Sequence, residues 1–208
     1  MISYTCVPVG MLESNCYILN AGGALALVDC GVFSRRVREA VAGQGGDLRY
    51  ILLTHGHFDH IQGVASAKAA YPRAQVGIGE GDAGCLTGEM DDGPGNHRQR
   101  EPAEPDLLLR GGDVIPLGES SLRVIETPGH TRGGVCYLAE AEGLLFTGDT
   151  LFREEVGRDD LPGGDWPTLV ASIQRLYGIP GDSRVLPGHY QASTLEHERR
   201  HNPYVKMQ

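Results

Sequence analysis

The sequence predicts a layered α/β domain. Short apolar runs bounded by Gly, Pro and Asn turns recur through both halves of the chain. Segments with helical spacing and recognisable caps stand between them. The chain has 208 residues, 40% of them hydrophobic and 22% charged, enough to bury a sizeable core without disulfide or metal staples. Strands interspersed with helices in both halves favour stacked layers over a bundle or an all-β barrel.

Ile2–Val9, Cys16–Leu19 and Ala24–Val28 read as strands, with Asn20–Gly23 as a hairpin turn. Ser34 caps a helix over Arg35–Ala42 that stops at Gly43. Tyr50–Leu53 is a buried strand. Ile61–Tyr71 has helical spacing and ends before Pro72, and Gln75–Ile78 is another short strand. Residues 87–106 have almost no apolar content, and so long a loop is either a functional lid or a disordered segment. Strands resume at Val114–Leu117, Leu122–Glu126, Val135–Leu138 and Leu144–Phe146. Asp165 caps a helix over Trp166–Leu176, Arg184–Leu186 is a last strand, and Leu195–His201 is a short terminal helix.

Composition narrows the function classes. With 18 basic and 27 acidic residues the net charge is −9, which opposes binding to nucleic acid or an anionic membrane. No run approaches the ~18–20 apolar residues of a membrane span, and no secretory signal opens the chain. The five cysteines (Cys6, Cys16, Cys30, Cys85 and Cys136) are odd in number, with no C-x-x-C pair. They are expected as free thiols, buried for the most part, rather than a disulfide framework or zinc ribbon. A cytoplasmic protein is the resulting expectation.

Chemistry concentrates where the Tyr50–Leu53 strand ends. His55, His57, Asp59 and His60 form H-x-H-x-D-H. Alternate residues of an extended segment point the same way, so His55 and His57 can reach one metal ion. Asp59 and His60 then begin a turn into the following helix and can face a neighbouring ion. A metal needs further ligands, and three isolated candidates stand after later strands: His130, Asp149 and His189, each directly preceded by Gly. His97, His197 and His201 fall in polar or charged stretches and are expected in solvent.

With these residues in place, the chain resembles the metallo-β-lactamase superfamily along essentially its whole length. The resemblance implies an αββα sandwich with a two-metal site along one edge of the sheets. Position by position it makes His55, His57 and His130 ligands of a first metal. It makes Asp59, His60 and His189 ligands of a second, with Asp149 bridging. Such ligands suit two divalent ions, zinc foremost, with iron or manganese also compatible. Two ions ~3.5–4 Å apart share a water and lower its pKa toward ~7.

A narrower resemblance lies in Thr147–Phe152, in Val156–Asp165, and in Thr194, Glu196–Glu198 and Asn202-Pro203-Tyr204. These stretches resemble the hydroxyacylglutathione hydrolases, the glyoxalase II-like branch, in its short single-domain bacterial type. No separate C-terminal helical substrate domain is expected, so residues 1–208 form one domain. The resemblance makes Arg158 a candidate substrate-binding residue, against the plain reading of a surface arginine. Tyr190, where that branch more usually has a small residue, narrows the pocket, touches substrate or simply packs. The implied reaction is hydrolysis of a small-molecule thioester such as S-lactoylglutathione. Attack is by metal-activated hydroxide, which Asp59 orients and Asp149 helps hold. The thiolate leaves readily, since a thiol pKa is about 8.5.

The lactamase and RNA-processing branches fit less well: Asp149 fills a bridging position that lactamases typically lack, and the chain is acidic. Two alternatives remain: a mononuclear iron persulfide dioxygenase, which uses only the His, His and Asp of the first site, and a metal-binding domain without catalysis. The residues do not fix oligomeric state, metal identity, or the acyl and thiol groups.

Overall fold

The computed structural model describes residues 1–91, 93 and 101–207. Fourteen strands and six α-helices are found among them. The strands, in order, are β1 Ser3–Val9, β2 Ser14–Ala21, β3 Ala24–Val28, β4 Asp47–Leu52, β5 Gln75–Gly79, β6 Leu107–Leu109, β7 Val114–Leu117, β8 Ser120–Glu126, β9 Val135–Ala139, β10 Leu144–Gly148, β11 Leu151–Phe152, β12 Glu155–Val156, β13 Arg184–Pro187 and β14 Ser193–Thr194. The helices are α1 Arg35–Gly43, α2 Phe58–Ile61, α3 Val64–Ala70, α4 Ala83–Thr87, α5 Trp166–Tyr177 and α6 Leu195–His201.

The first six strands form one sheet in sequence order, antiparallel from β1 to β3 and parallel from β3 to β6. The second sheet runs β14-β13-β10-β9-β8-β7, and β11 with β12 makes a small ribbon beside it. Alternation along the strands shows how the sheets stack. Leu25 and Leu27 of β3 turn outward to pack with Val37 and Val41 of α1 and Val64 and Ala67 of α3. Ala26 and Val28 turn inward and meet Val135, Tyr137 and Phe146 of the second sheet. Cys136 and Leu138 of β9 face the other way, against Leu169, Ile173 and Leu176 of α5 and Leu195 of α6. Three apolar seams between four layers give the αββα sandwich. Strands covered on both faces read as unbroken apolar runs, not alternating ones.

Both predicted caps are present: Ser34 Oγ accepts from the Val37 amide at 3.3 Å, and Asp165 from the Thr168 amide at 3.0 Å. The Gly22-Gly23 turn closes the β2–β3 hairpin with φ of 63° and 89°, as a two-residue loop with both central residues left-handed requires. The single helix expected over Ile61–Tyr71 is two. It begins at Phe58 as α2 and breaks at Gly63, where a Cβ would lie 2.4 Å from the Phe33 nitrogen. The Gly63 amide there donates to the Cys30 carbonyl at 2.8 Å. Cys16, Cys30, Cys85 and Cys136 are buried free thiols, and Cys6 is half-buried. His201 is exposed, but His197 is half-buried and its Nε2 lies 2.9 Å from Glu154 Oε1, a correction to the expectation that it stands free in solvent. Within the expected lid over 87–106, residues 92 and 94–100, His97 among them, lie outside the described residues. No helix among the described residues is long and apolar enough to cross a membrane.

Candidate metal centre

The segments that carry the seven candidate ligands all leave strands at the same edge of the sandwich. His55 and His57 follow β4, and α2 then carries Asp59 and His60 on its single turn. His130 lies between β8 and β9, Asp149 directly after β10, and His189 just after β13. The first sheet therefore supplies His55, His57, Asp59 and His60, and the second supplies the other three.

The seven residues converge. Donor atoms of His55, His57 and His130 lie within 4.8 Å of one another, and so do those of Asp59, His60 and His189. Asp149 stands between the two groups: its Oδ2 is 3.7 Å from His130 Nε2 and 3.5 Å from His189 Nε2, and its Oδ1 is 3.5 Å from His60 Nε2. The glycines preceding the ligands allow this closeness. Gly148 has φ of 48°, and a Cβ at Gly188 would sit 2.1 Å from Asp149 Oδ1.

The donor set fits metal ions. His55 Nε2, His130 Nε2 and Asp149 Oδ1 are buried with no hydrogen-bond partner, although buried polar atoms are normally satisfied. His60 Nε2 and His189 Nε2 approach to 3.2 Å, each also near Asp59 Oδ2, at 3.4 and 3.2 Å. Four of the imidazoles are held from behind through Nδ1, which presents Nε2 to the centre. His60 Nδ1 donates to Asp29 Oδ2 at 2.9 Å, and His130 Nδ1 to the Arg158 carbonyl at 2.7 Å. His189 Nδ1 donates to the Leu12 carbonyl at 3.0 Å. Thr54 Oγ1 donates to Asp29 Oδ2 at 2.8 Å and so accepts from His55 Nδ1 at 3.0 Å.

Electrostatics divide the two groups. Burial, reinforced by the neighbouring histidines, holds His55 well below the usual imidazole range and His57 at about 3, so both are neutral lone-pair donors at pH 7. Burial also disfavours charge on His60, but Asp149 and Asp29 outweigh it and raise its pKa well above the usual range. His189 is raised likewise: burial opposes its charge, and the bond to Asp59 with the charge of Asp149 overcomes that. For Asp59, burial pushes upward, but bonds from His189 and His60 hold it below the usual carboxylate range. The carboxylates of the second group thus gather positive charge, which a cation would supply in place of protons.

A profile of the Metallo-beta-lactamase superfamily matches residues 9–189. The chain belongs to that superfamily. It is 34% identical over 198 residues to a probable metallo-hydrolase of Streptococcus pyogenes, covering 91% of this chain and 84% of that one. It is 27% identical over 208 residues to the hydroxyacylglutathione hydrolase GloC of Haemophilus influenzae, covering 96% of each. Among solved structures, the BLEG-1 B3 metallo-beta-lactamase superposes with a TM-score of 0.87 at 29% identity, over 98% of this chain and 99% of that one. TTHA1623 in a di-iron-bound form superposes at 0.83 with 32% identity, over 97% and 100%.

Within this superfamily fold, two acids that sequence reasoning passed over support the ligands. Asp29 accepts from the Thr54 amide and hydroxyl as well as from His60. Asp82, also buried, accepts from the Gly56 amide at 2.8 Å, the Thr131 hydroxyl at 2.7 Å and the Gly133 amide at 2.7 Å. It ties the His55–His57 segment to the His130 loop. Both acids sit at or just beyond strand ends of the same edge, and that shared position was the available signal. Arg158 contributes its carbonyl to His130, while its guanidinium makes two bonds to Asp160, at 2.6 and 2.8 Å. Tyr190 is 76% exposed at the rim, its ring 5.9 Å from Phe152 and 6.1 Å from His189. Its φ of 62° is left-handed, a conformation that glycine would adopt without strain.

Proposed function

We propose that the chain is a two-metal-ion hydrolase of thioesters, with glutathione thioesters such as S-lactoylglutathione as its first candidates. The observation that carries this reading is the pair of adjacent donor groups, His55/His57/His130 and Asp59/His60/His189, with the Asp149 carboxylate between them. When bound there, two divalent ions, zinc or iron among them, supply Lewis acidity and an activated water for attack on a carbonyl. The chain's own groups do the rest. Burial keeps His55 and His57 neutral, and His55 and His130 are aimed by hydrogen bonds behind their rings, so little reorganisation accompanies binding. Asp59, held in its ionised form, is a weak base. Its role is to orient a water through an accepted hydrogen bond, not to remove its proton outright. Tyr190 and Phe152 border the second group and limit what can approach His189. Arg158 serves as a substrate contact only by exchanging Asp160 for a substrate carboxylate. The thioester assignment is supported by the likeness to GloC and by the Val156–Asp165 segment.

The test is metal content per purified chain together with turnover of S-lactoylglutathione, of nitrocefin as a β-lactam, and of glutathione persulfide with oxygen. About two ions and hydrolysis of the thioester support the reading. Two ions with β-lactam turnover alone would transfer the chain to the lactamase activity named for the BLEG-1 structure. One iron with oxygen consumption would make it a dioxygenase.

A further inference from the structure

Next to the first donor group lies a cavity of about 200 Å³ that the reaction outlined above leaves unused. It shares His57 with the metal centre, and Cys85, Met90 and Pro162 give it an apolar lining. A site for a whole drug-sized ligand is larger, ~300 Å³ or more, so this volume suits one arm of a substrate. The cation on its wall is Arg132.

Arg132 is placed with unusual firmness for an exposed arginine. The residues on either side of it, Thr131 and Gly133, are both bound to buried Asp82 at 2.7 Å. Its stem rests on the next loop, where a Cβ at Gly163 would come within 3.2 Å of Arg132 Cγ. Yet among the described residues its guanidinium has no hydrogen bond and no ion pair. The two carboxylates that line the same cavity are occupied elsewhere: Asp82 by its three bonds, and Asp91 in part by the Gly93 amide at 3.0 Å. Arg158, by contrast, is already paired with Asp160. In a chain of net charge −9, an anionic ligand needs a local cation to be admitted.

We propose that Arg132 and this cavity form a carboxylate-binding subsite that determines specificity. It receives a carboxylate-bearing arm of the thioester's thiol half. The guanidinium pairs with the carboxylate, and the arm's methylenes lie on Met90, Cys85 and Pro162. This deepens the thioester reading and rests on it for the identity of the ligand.

The experiment uses the metal-loaded full chain as wild type, Arg132→Gln and Arg132→Lys. Calorimetry gives the Kd of S-methylglutathione, an inert thioether, and kinetics give kcat/KM for S-lactoylglutathione and for uncharged S-ethyl thioacetate. Expected for Arg132→Gln is a Kd weaker by roughly tenfold or more, the size of one charge-assisted hydrogen bond. The preference for the charged over the uncharged thioester should fall by a similar factor, mainly through KM, with partial recovery in Arg132→Lys. An unchanged Kd, an unchanged preference, or no binding of S-methylglutathione by the wild type overturns the subsite. If the wild type binds S-methylglutathione through Arg132 but hydrolyses neither thioester, the subsite stands and the thioesterase reading falls.

Discussion

At the scale of single residues, the site depends on what stands behind the ligands. Asp29 holds His60 and, through Thr54, His55. Asp29→Ala should weaken metal binding by about 10–100-fold, as loss of an outer partner typically does; competition titration against a chelator measures it, and unaltered affinity would refute the role. The opposite shifts of His60 and His57 give a pH dependence whose sign is fixed. A raised imidazole keeps its proton to higher pH and must shed it before Nε2 can coordinate. A lowered one is already free. As pH falls from 8, the Asp59/His60/His189 group should therefore empty first, at roughly tenfold in affinity per pH unit for each competing proton, while the three-histidine group persists. Metal per chain at fixed free zinc should step from two to one before reaching zero, and a single step would contradict this. The seven candidate ligands were legible as a cluster because His and Asp at strand ends are conspicuous among apolar runs. Asp29 and Asp82 were not, since an acid after a strand usually reads as a turn residue and only the fold shows what it holds.

The elements explain why the ligands meet. Each ligand-bearing loop begins where a central strand ends, and the strands are fixed on both faces by apolar seams. Loop geometry is then set by small residues. Gly188 lies against Asp149 and His60, so Gly188→Ala should force the β13 loop away from the centre and remove metal from the second group, leaving fold content by circular dichroism unchanged. Retention of both ions in that variant would show that the loop can yield. The long strands and the α1 and α5 helices were visible in the sequence from period and caps. The two-residue strands β11, β12 and β14 were not, since so short a piece carries no period. The break at Gly63 was hidden because it answers a backbone contact with Phe33, thirty positions earlier, and not any local preference.

For the whole molecule, the order of strands matters most. One sheet is drawn from residues 3–109 and the other from 114–194, and the ligands are divided between them. Ions held by both sets would therefore brace the two sheets across their shared edge. Free metal a thousandfold above Kd contributes about 4 kcal/mol to stability. Stripping it with a chelator should lower Tm by on the order of 10 °C for a chain of this size, as calorimetry before and after metal restoration would show; no shift would mean that the folded chain holds metal no more tightly than the unfolded one. The same division gives the site a history. As the chain is made, His55, His57, Asp59 and His60 leave the ribosome long before His130, Asp149 and His189 exist to meet them. For that interval the first half carries four coordinating side chains and an incomplete claim on any ion. A complete donor set is thus a late event: it waits until the second sheet closes over the first.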